Sequence, residues 1–190
     1  AIGDSLFHGS KDCKGNTWLE MMAKRHEMTL YNYGQNGNTI AVQHKEQQPL
    51  PPMCVRYADM ADGADYVVVL GGANDKRLHV PIGKDDDTDP HTFKGALNVL
   101  ILGITQKYPR AKVLFMTNYN RWPTANKLGI SDLAYVTAME DVCRKYARYG
   151  AEFIYQVMCN FVGVAPWDRI KQQYFQHFMR RKKYPGIQQF

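Results

Sequence analysis

Two hydrophobic rhythms alternate along this chain. The run Asp65-Tyr66-Val67-Val68-Val69-Leu70 is almost continuously apolar and stops at Gly71-Gly72. That is how a strand buried on both faces reads. Ala111 to Met116 repeats the pattern, Ala151 to Val157 predicts a further strand, and Met28 to Tyr33 predicts one ended by Gly34. Between these runs the spacing becomes helical. Phe93 to Lys107 sets Leu97, Leu100, Ile101 and Ile104 on one face. Thr17-Trp18-Leu19-Glu20 has capping-box spacing, which predicts a helix from there to about His26. Further helices are predicted over Cys54 to Ala61 (after the Pro49, Pro51, Pro52 break), Ser131 to Tyr149 and Asp168 to Lys183.

Strands separated by helices imply βαβ units, and hence a parallel sheet with helices on both faces. With 190 residues, one domain is expected over 1–190. A chain of that length buries roughly 70% of its unfolded surface and needs no staples. Composition changes little: 45% hydrophobic and 22% charged residues exclude a disordered chain. No run approaches the ~18 consecutive apolar residues of a membrane span, so no transmembrane segment is expected.

The formal net charge is +6, and its location matters more than its size. Residues 169–190 hold Arg169, Lys171, Arg180, Arg181, Lys182 and Lys183 with no acid, and so carry the whole excess. One basic helix reads as a solvated face; a nucleic-acid binder spreads its cations over a surface shaped to the backbone, so no nucleic acid is expected as partner. Cys13, Cys54, Cys143 and Cys159 form no CxxC pair, which argues against a zinc ribbon or thioredoxin-type site. The sequence starts at Ala1 with neither Met nor a signal-peptide pattern. Loss of an upstream segment is compatible with that, and no compartment is assigned. Residues 76–91, with Asp85, Asp86, Asp87 and Asp89, form the longest polar insertion. It reads as a solvated loop, because carboxylates alone lack the rest of a calcium-loop pattern.

In a parallel sheet the ligand crevice lies beyond the carboxyl ends of the strands. Three segments stand there: Gly3-Asp4-Ser5-Leu6, Asn32-Tyr33-Gly34-Gln35-Asn36-Gly37-Asn38-Thr39, and Gly71-Gly72-Ala73-Asn74-Asp75. A serine at a strand-to-helix junction presents its hydroxyl outward as a candidate nucleophile. The backbone N–H groups of Ser5 and Gly37, with the Asn74 amide, are candidate donors to an oxyanion. Each residue alone also reads as an ordinary turn or cap. The nucleophile-elbow pattern GxSxG is absent, which disfavours an ordinary α/β-hydrolase.

Gly3-Asp4-Ser5-Leu6 resembles the first block of the GDSL (SGNH) esterase and lipase family. Asn32-x-Gly34-x-x-Gly37-x-Thr39 resembles its glycine block, and Gly72-x-Asn74-Asp75 its GxND block. The resemblance spans roughly the first 75 residues. It implies a three-layer α/β/α sandwich with a parallel, flavodoxin-like sheet. It also implies Ser5 as nucleophile and Ser5, Gly37 and Asn74 as oxyanion donors. Asp4 and Asp75 are assigned to bracing their turns.

The family's last block, Asp-x-x-His, occurs nowhere in this sequence; its nearest echo is Arg181-Lys182-Lys183-Tyr184-Pro185. Only Ala1 and Ile2 precede Gly3, few for a full first strand, so both ends read as clipped. Asp168 and His177 are the available substitutes for the missing pair. On one helix they fall on opposite faces, roughly 13 Å apart along the axis, and cannot bond to each other. His177 remains a candidate base, with a surface helix histidine as its other reading. His8 is expected to line the site or pack; His26, His44, His79 and His91 have no motif context.

The leading expectation is a serine ester hydrolase acting on a small or carbohydrate-linked acyl ester, needing no metal or organic cofactor. The loops at 76–91 and 118–130 should flank the substrate. Asn118, Tyr119, Arg121 and Trp122 suit a polar or carbohydrate-bearing ester, with Asn118 and Tyr119 as the candidate substrate-binding residues. The alternative is a catalytically impaired binding protein on the same scaffold, its basic C-terminal helix facing an acidic partner. A nucleotide-binding flavodoxin-like domain is weaker still, because neither GxGxxG nor GxxxxGK occurs.

Overall fold

The computed structural model describes residues 1–9, 17–43, 50–116 and 124–147. The strand expected over Ala151–Val157, the helix over Asp168–Lys183, and Asn118, Tyr119, Arg121, Trp122 and His177 lie outside those residues. In chain order the elements are β1 (Ile2–Gly3), α1 (Ser5–His8), α2 (Trp18–Arg25), β2 (Tyr33–Gly34), α3 (Met53–Arg56) and a 3₁₀ turn at Tyr57–Asp59. They continue with β3 (Tyr66–Leu70), α4 (Ala73–Arg77), α5 (Phe93–Lys107), β4 (Lys112–Met116) and α6 (Asp132–Ala147).

The four strands pair in parallel in the order β2-β1-β3-β4. Ile2 stands in register with both Tyr33 and Val69, and Tyr66 through Leu70 pair with Lys112 through Met116. This is the flavodoxin-like order, whose switch point falls between β1 and β3. Side chains of β3 and β4 divide by the period of two that a pleat dictates. Val67, Val69, Val113 and Phe115 join one core with Leu97, Leu100, Ile101 and Ile104 of α5 and Tyr135, Met139 and Val142 of α6. Val68, Leu70, Leu114 and Met116 join the other with Phe7, Trp18, Leu19 and Met22. Helices therefore cover both faces, giving the expected three layers. The capping box of α2 forms as predicted: Thr17 accepts from the Glu20 N–H, and the Glu20 carboxylate accepts from Thr17.

Two predicted elements are corrected. The strand expected over Met28–Tyr33 shrinks to Tyr33–Gly34. A strand needs a neighbour, and β1 offers only Ile2 and Gly3; beside Met28 to Tyr31 lies a cavity of about 410 Å³, also lined by Gly63 to Tyr66. The helix expected over Cys54–Ala61 runs only from Met53 to Arg56 before tightening into the 3₁₀ turn. Distant side chains claim the backbone groups that would have continued it. Tyr33 Oη accepts from the Ala61 N–H at 2.8 Å, Tyr108 Oη donates to the Ala61 carbonyl at 2.6 Å, and Lys107 Nζ donates to that of Ala58 at 3.1 Å. The start of the polar insertion is also not all loop, since α4 covers Lys76 and Arg77. Among the described residues no helix is long and apolar enough to cross a membrane.

Candidate active site

Three loops meet at the carboxyl edge of the sheet around β1 and β3. β1 ends at Gly3, and the Asp4 carboxylate caps α1 by accepting from the Leu6 N–H at 2.9 Å. Ser5 is thereby the first residue of α1 and is exposed. Neither its N–H nor its hydroxyl bonds to any other described residue.

The second loop is anchored to the first. The Gln35 N–H donates to the Gly3 carbonyl at 3.0 Å, and the Asn38 N–H to the Gln35 carbonyl at 3.2 Å. A Cβ at Gly34 would fall 2.4 Å from the His8 nitrogen, so only glycine lets β2 approach α1 this closely. Asn32 stitches the same contact, donating to the Phe7 carbonyl at 2.7 Å. Gly37 turns the chain with φ +72°, and its N–H has no partner among the described residues.

The third loop brings α4 against the second. Asn74 Nδ2 donates to the Asn38 carbonyl at 3.0 Å, using one of the two hydrogens a primary amide carries. Asp75 is fully buried. Its carboxylate accepts from the Ile40 N–H at 3.0 Å and the Ala41 N–H at 2.9 Å. Burial pushes its pKa up to about 7, against the pull of those N–H groups. Asp4 and Asp75 thus both hold backbone.

No local sequence pattern marks the residue that ties these loops together. Arg56, at the end of α3, is buried. Its Nε donates to Asn38 Oδ1 at 3.0 Å, Nη1 to the Tyr33 carbonyl at 2.6 Å, and Nη2 to the Gly3 carbonyl at 3.0 Å. One guanidinium therefore binds the ends of β1 and β2 and the glycine loop. Burial lowers its pKa to about 10, which leaves it charged at neutral pH.

Among the described residues no histidine bonds to Ser5. His8 Nδ1 lies 3.1 Å from the Gly34 carbonyl, at the junction of α1 and β2. His79 Nδ1 accepts from the Lys127 N–H at 3.4 Å, and His91 pairs with Asp89 at 2.9 Å. The acidic insertion is occupied with its own turns and cations. Asp85 pairs with Lys94, which also reaches Asp141 at 3.3 Å, while Asp87 accepts from the Thr92 hydroxyl at 2.7 Å. Cys54 and Cys143 are free, and burial raises both thiols to about 12. Among the described residues no group of three or more His, Cys, Asp or Glu is arranged to hold a metal ion.

One sheet edge thus carries an exposed serine hydroxyl, two N–H groups unengaged among the described residues and a side-chain amide, the kinds of group that acyl transfer uses. The comparisons with known proteins agree with that class. The model of the GDSL-like lipase/acylhydrolase family matches residues 1–173. The chain belongs to that family. It is similar to one solved structure at 32% identity, with 81% of this chain and 74% of that one covered and a TM-score of 0.68. A Bacteroides uniformis chain described as a GDSL-like lipase is 18% identical, with 92% of each chain covered at TM-score 0.65. A carbohydrate esterase family 2 enzyme from Corynascus thermopiles is 17% identical, covering 94% of this chain and 65% of that one at TM-score 0.57. These last two likenesses speak to the fold. No curated protein matches the chain.

Proposed function

We propose that this chain is a serine esterase with Ser5 as its nucleophile. Ser5 Oγ attacks the ester carbonyl carbon, and its proton passes to a general base. The N–H groups of Ser5 and Gly37 and the Asn74 amide bind the oxyanion. The carbon–oxygen ester bond then breaks, the alcohol leaves with the proton, and water hydrolyses the acyl-serine to free acid and serine. His177 is the candidate for the base, and Asn118 and Tyr119 for contacts to the substrate. No metal or organic cofactor enters these steps. The substrate is a small or carbohydrate-linked acyl ester, a reading supported by the likeness to a carbohydrate esterase.

One observation carries the proposal: the N–H groups of Ser5 and Gly37 are unengaged among the described residues, while Asn74 is fixed to the same loop through the Asn38 carbonyl. Donors held by structure and not already satisfied are what an oxyanion requires. The test is 4-nitrophenyl acetate hydrolysis by the chain beside Ser5→Ala, with mass spectrometry after a serine-directed fluorophosphonate. Ser5→Ala should lower kcat/KM by about 10³-fold or more, and the label should sit on Ser5. Equal rates in the two proteins would end the proposal. A folded chain with neither turnover nor label would be a scaffold that binds without hydrolysing.

A further inference from the structure

The last residue of α4 places a positive charge beside the same site. Arg77 follows Asn74 by three positions, so the two side chains leave the helix as neighbours. Arg77 Nε donates to Asn74 Oδ1 at 3.3 Å. Its Nη2 lies 3.9 Å from where a Cβ on Gly37 would stand. The guanidinium therefore lies beside two of the three residues assigned to the oxyanion.

Arg77 is exposed and forms no ion pair with any described residue. The cations around it are committed: Lys76 to Asp132, Lys94 to Asp85 and Asp141, and Arg56 to two carbonyls and Asn38. The nearest carboxylates in the three loops, Asp4 and Asp75, are buried and turned to backbone N–H groups. Among the described residues only Nε is engaged, which leaves both Nη groups for a ligand. Their planar fork matches a carboxylate with two parallel hydrogen bonds.

We propose that Arg77 is a substrate-recognition residue, and that the esters this site takes carry a carboxylate close to the scissile bond. This rests on the esterase reading and adds the substrate's charge to it. Oxyanion stabilisation by Arg77 would serve neutral and anionic esters alike, whereas recognition of a carboxylate serves only the second. The contact is exposed, so the preference should also shrink as salt screens it.

The experiment compares the chain with Arg77→Ala and Arg77→Lys on three esters. 4-Nitrophenyl acetate is neutral, mono-4-nitrophenyl succinate carries its carboxylate on the acyl side, and 4-acetoxybenzoate carries it on the alcohol side. The unaltered chain should prefer at least one anionic ester, and the one preferred tells which side of the ester meets Arg77. Arg77→Ala should lower kcat/KM for that ester about fivefold or more, mainly through KM. The neutral ester should change by less than about twofold, with partial rescue in Arg77→Lys. No anionic preference, or an equal loss on all three esters, overturns the proposal; an equal loss would leave Arg77 holding Asn74 alone. Where no ester is hydrolysed and Ser5 takes no label, the esterase reading has failed by itself. Calorimetric titration with succinate then decides: binding lost in Arg77→Ala retains the anion site, and no binding removes it.

Discussion

The carboxyl edge of the sheet and the acidic insertion at 76–91 use charge in opposite ways. In the insertion, Asp85, Asp87 and Asp89 crowd a few residues, and Asp87 and Asp89 bond within their own turn. Thr92 lies five positions from Asp87, and His91 two from Asp89. At the sheet edge two buried groups, Arg56 and Asp75, act over long range. Arg56 reaches Gly3 across 53 positions, and Asp75 reaches Ile40 across 35. The dense region is solvated surface, and the sparse one shapes the loops of the site. A buried charge survives only with compensating partners, so its partners become fixed in turn. Charge density along a sequence therefore points away from this site.

Arg56→Ala should break that comparison most severely. It takes the guanidinium away from the Tyr33 carbonyl and Asn38 Oδ1, and leaves the Gly3 carbonyl with the Gln35 N–H alone. Buried acceptors left unsatisfied cost about 1–3 kcal/mol each, so the total loss should be about 2 kcal/mol or more. Urea unfolding measures it. Arg56→Lys keeps the charge but not the three-way fork, and should recover only part of the stability. Ester turnover should fall in both variants. A variant as stable and active as the parent would mean the loops are held by something else.

Asp75 gives the next effect, and its sign is fixed. Its folded pKa, about 7, lies above the ordinary carboxylate value of 3.8 because burial disfavours the charged form. The folded state therefore holds a proton that the unfolded chain releases. Asp75 contributes fully below about pH 4, and that contribution is lost as pH rises through about 7. The slope between those limits should approach about 1.4 kcal/mol per pH unit. Asp75→Asn should flatten this part of the stability profile. A Tm that changes with pH in the same way in both proteins would reassign the slope to other groups.

Much of this architecture is legible in the sequence, for a physical reason. β3 and β4 are buried on both faces, which leaves an uninterrupted apolar run, and α5 shows its buried stripe at helical spacing. The serine, glycine and asparagine motifs are local and follow strands, so their convergence on one edge follows from a parallel sheet. Arg56 is invisible because nothing near it in sequence explains it; its three acceptors belong to β1, β2 and the glycine loop. The same cause hides the 3₁₀ turn after α3, where Tyr33, Lys107 and Tyr108 take backbone groups that a local reading gives to a helix. Arg77 is plain as a residue, but its place beside Gly37 needs the fold.

Thr17 lies between the two extremes, local like the acids yet buried like Asp75. Its hydroxyl accepts from the Glu20 N–H at 3.3 Å to start α2, whose Trp18, Leu19 and Met22 fill the second core. Thr17→Ala should cost about 1 kcal/mol, the usual worth of an N-cap. Activity should be unchanged apart from that loss, because α2 contributes no residue to the three loops. Thermal unfolding alongside ester turnover separates the two.

The smallest effect is expected at Asp85, and it tests the comparison from the other side. Asp85 is 83% exposed, and its ion pair with Lys94 holds its pKa below the usual carboxylate value. That shift looks like stabilisation, but an exposed carboxylate exchanges its partner for water at little cost. Lys94 also keeps Asp141 at 3.3 Å when Asp85 is neutralised. Asp85→Asn should therefore leave Tm and turnover of a neutral ester within experimental error. A marked loss of stability would show that the insertion is held by its charges, and the contrast with the buried sheet edge would fail.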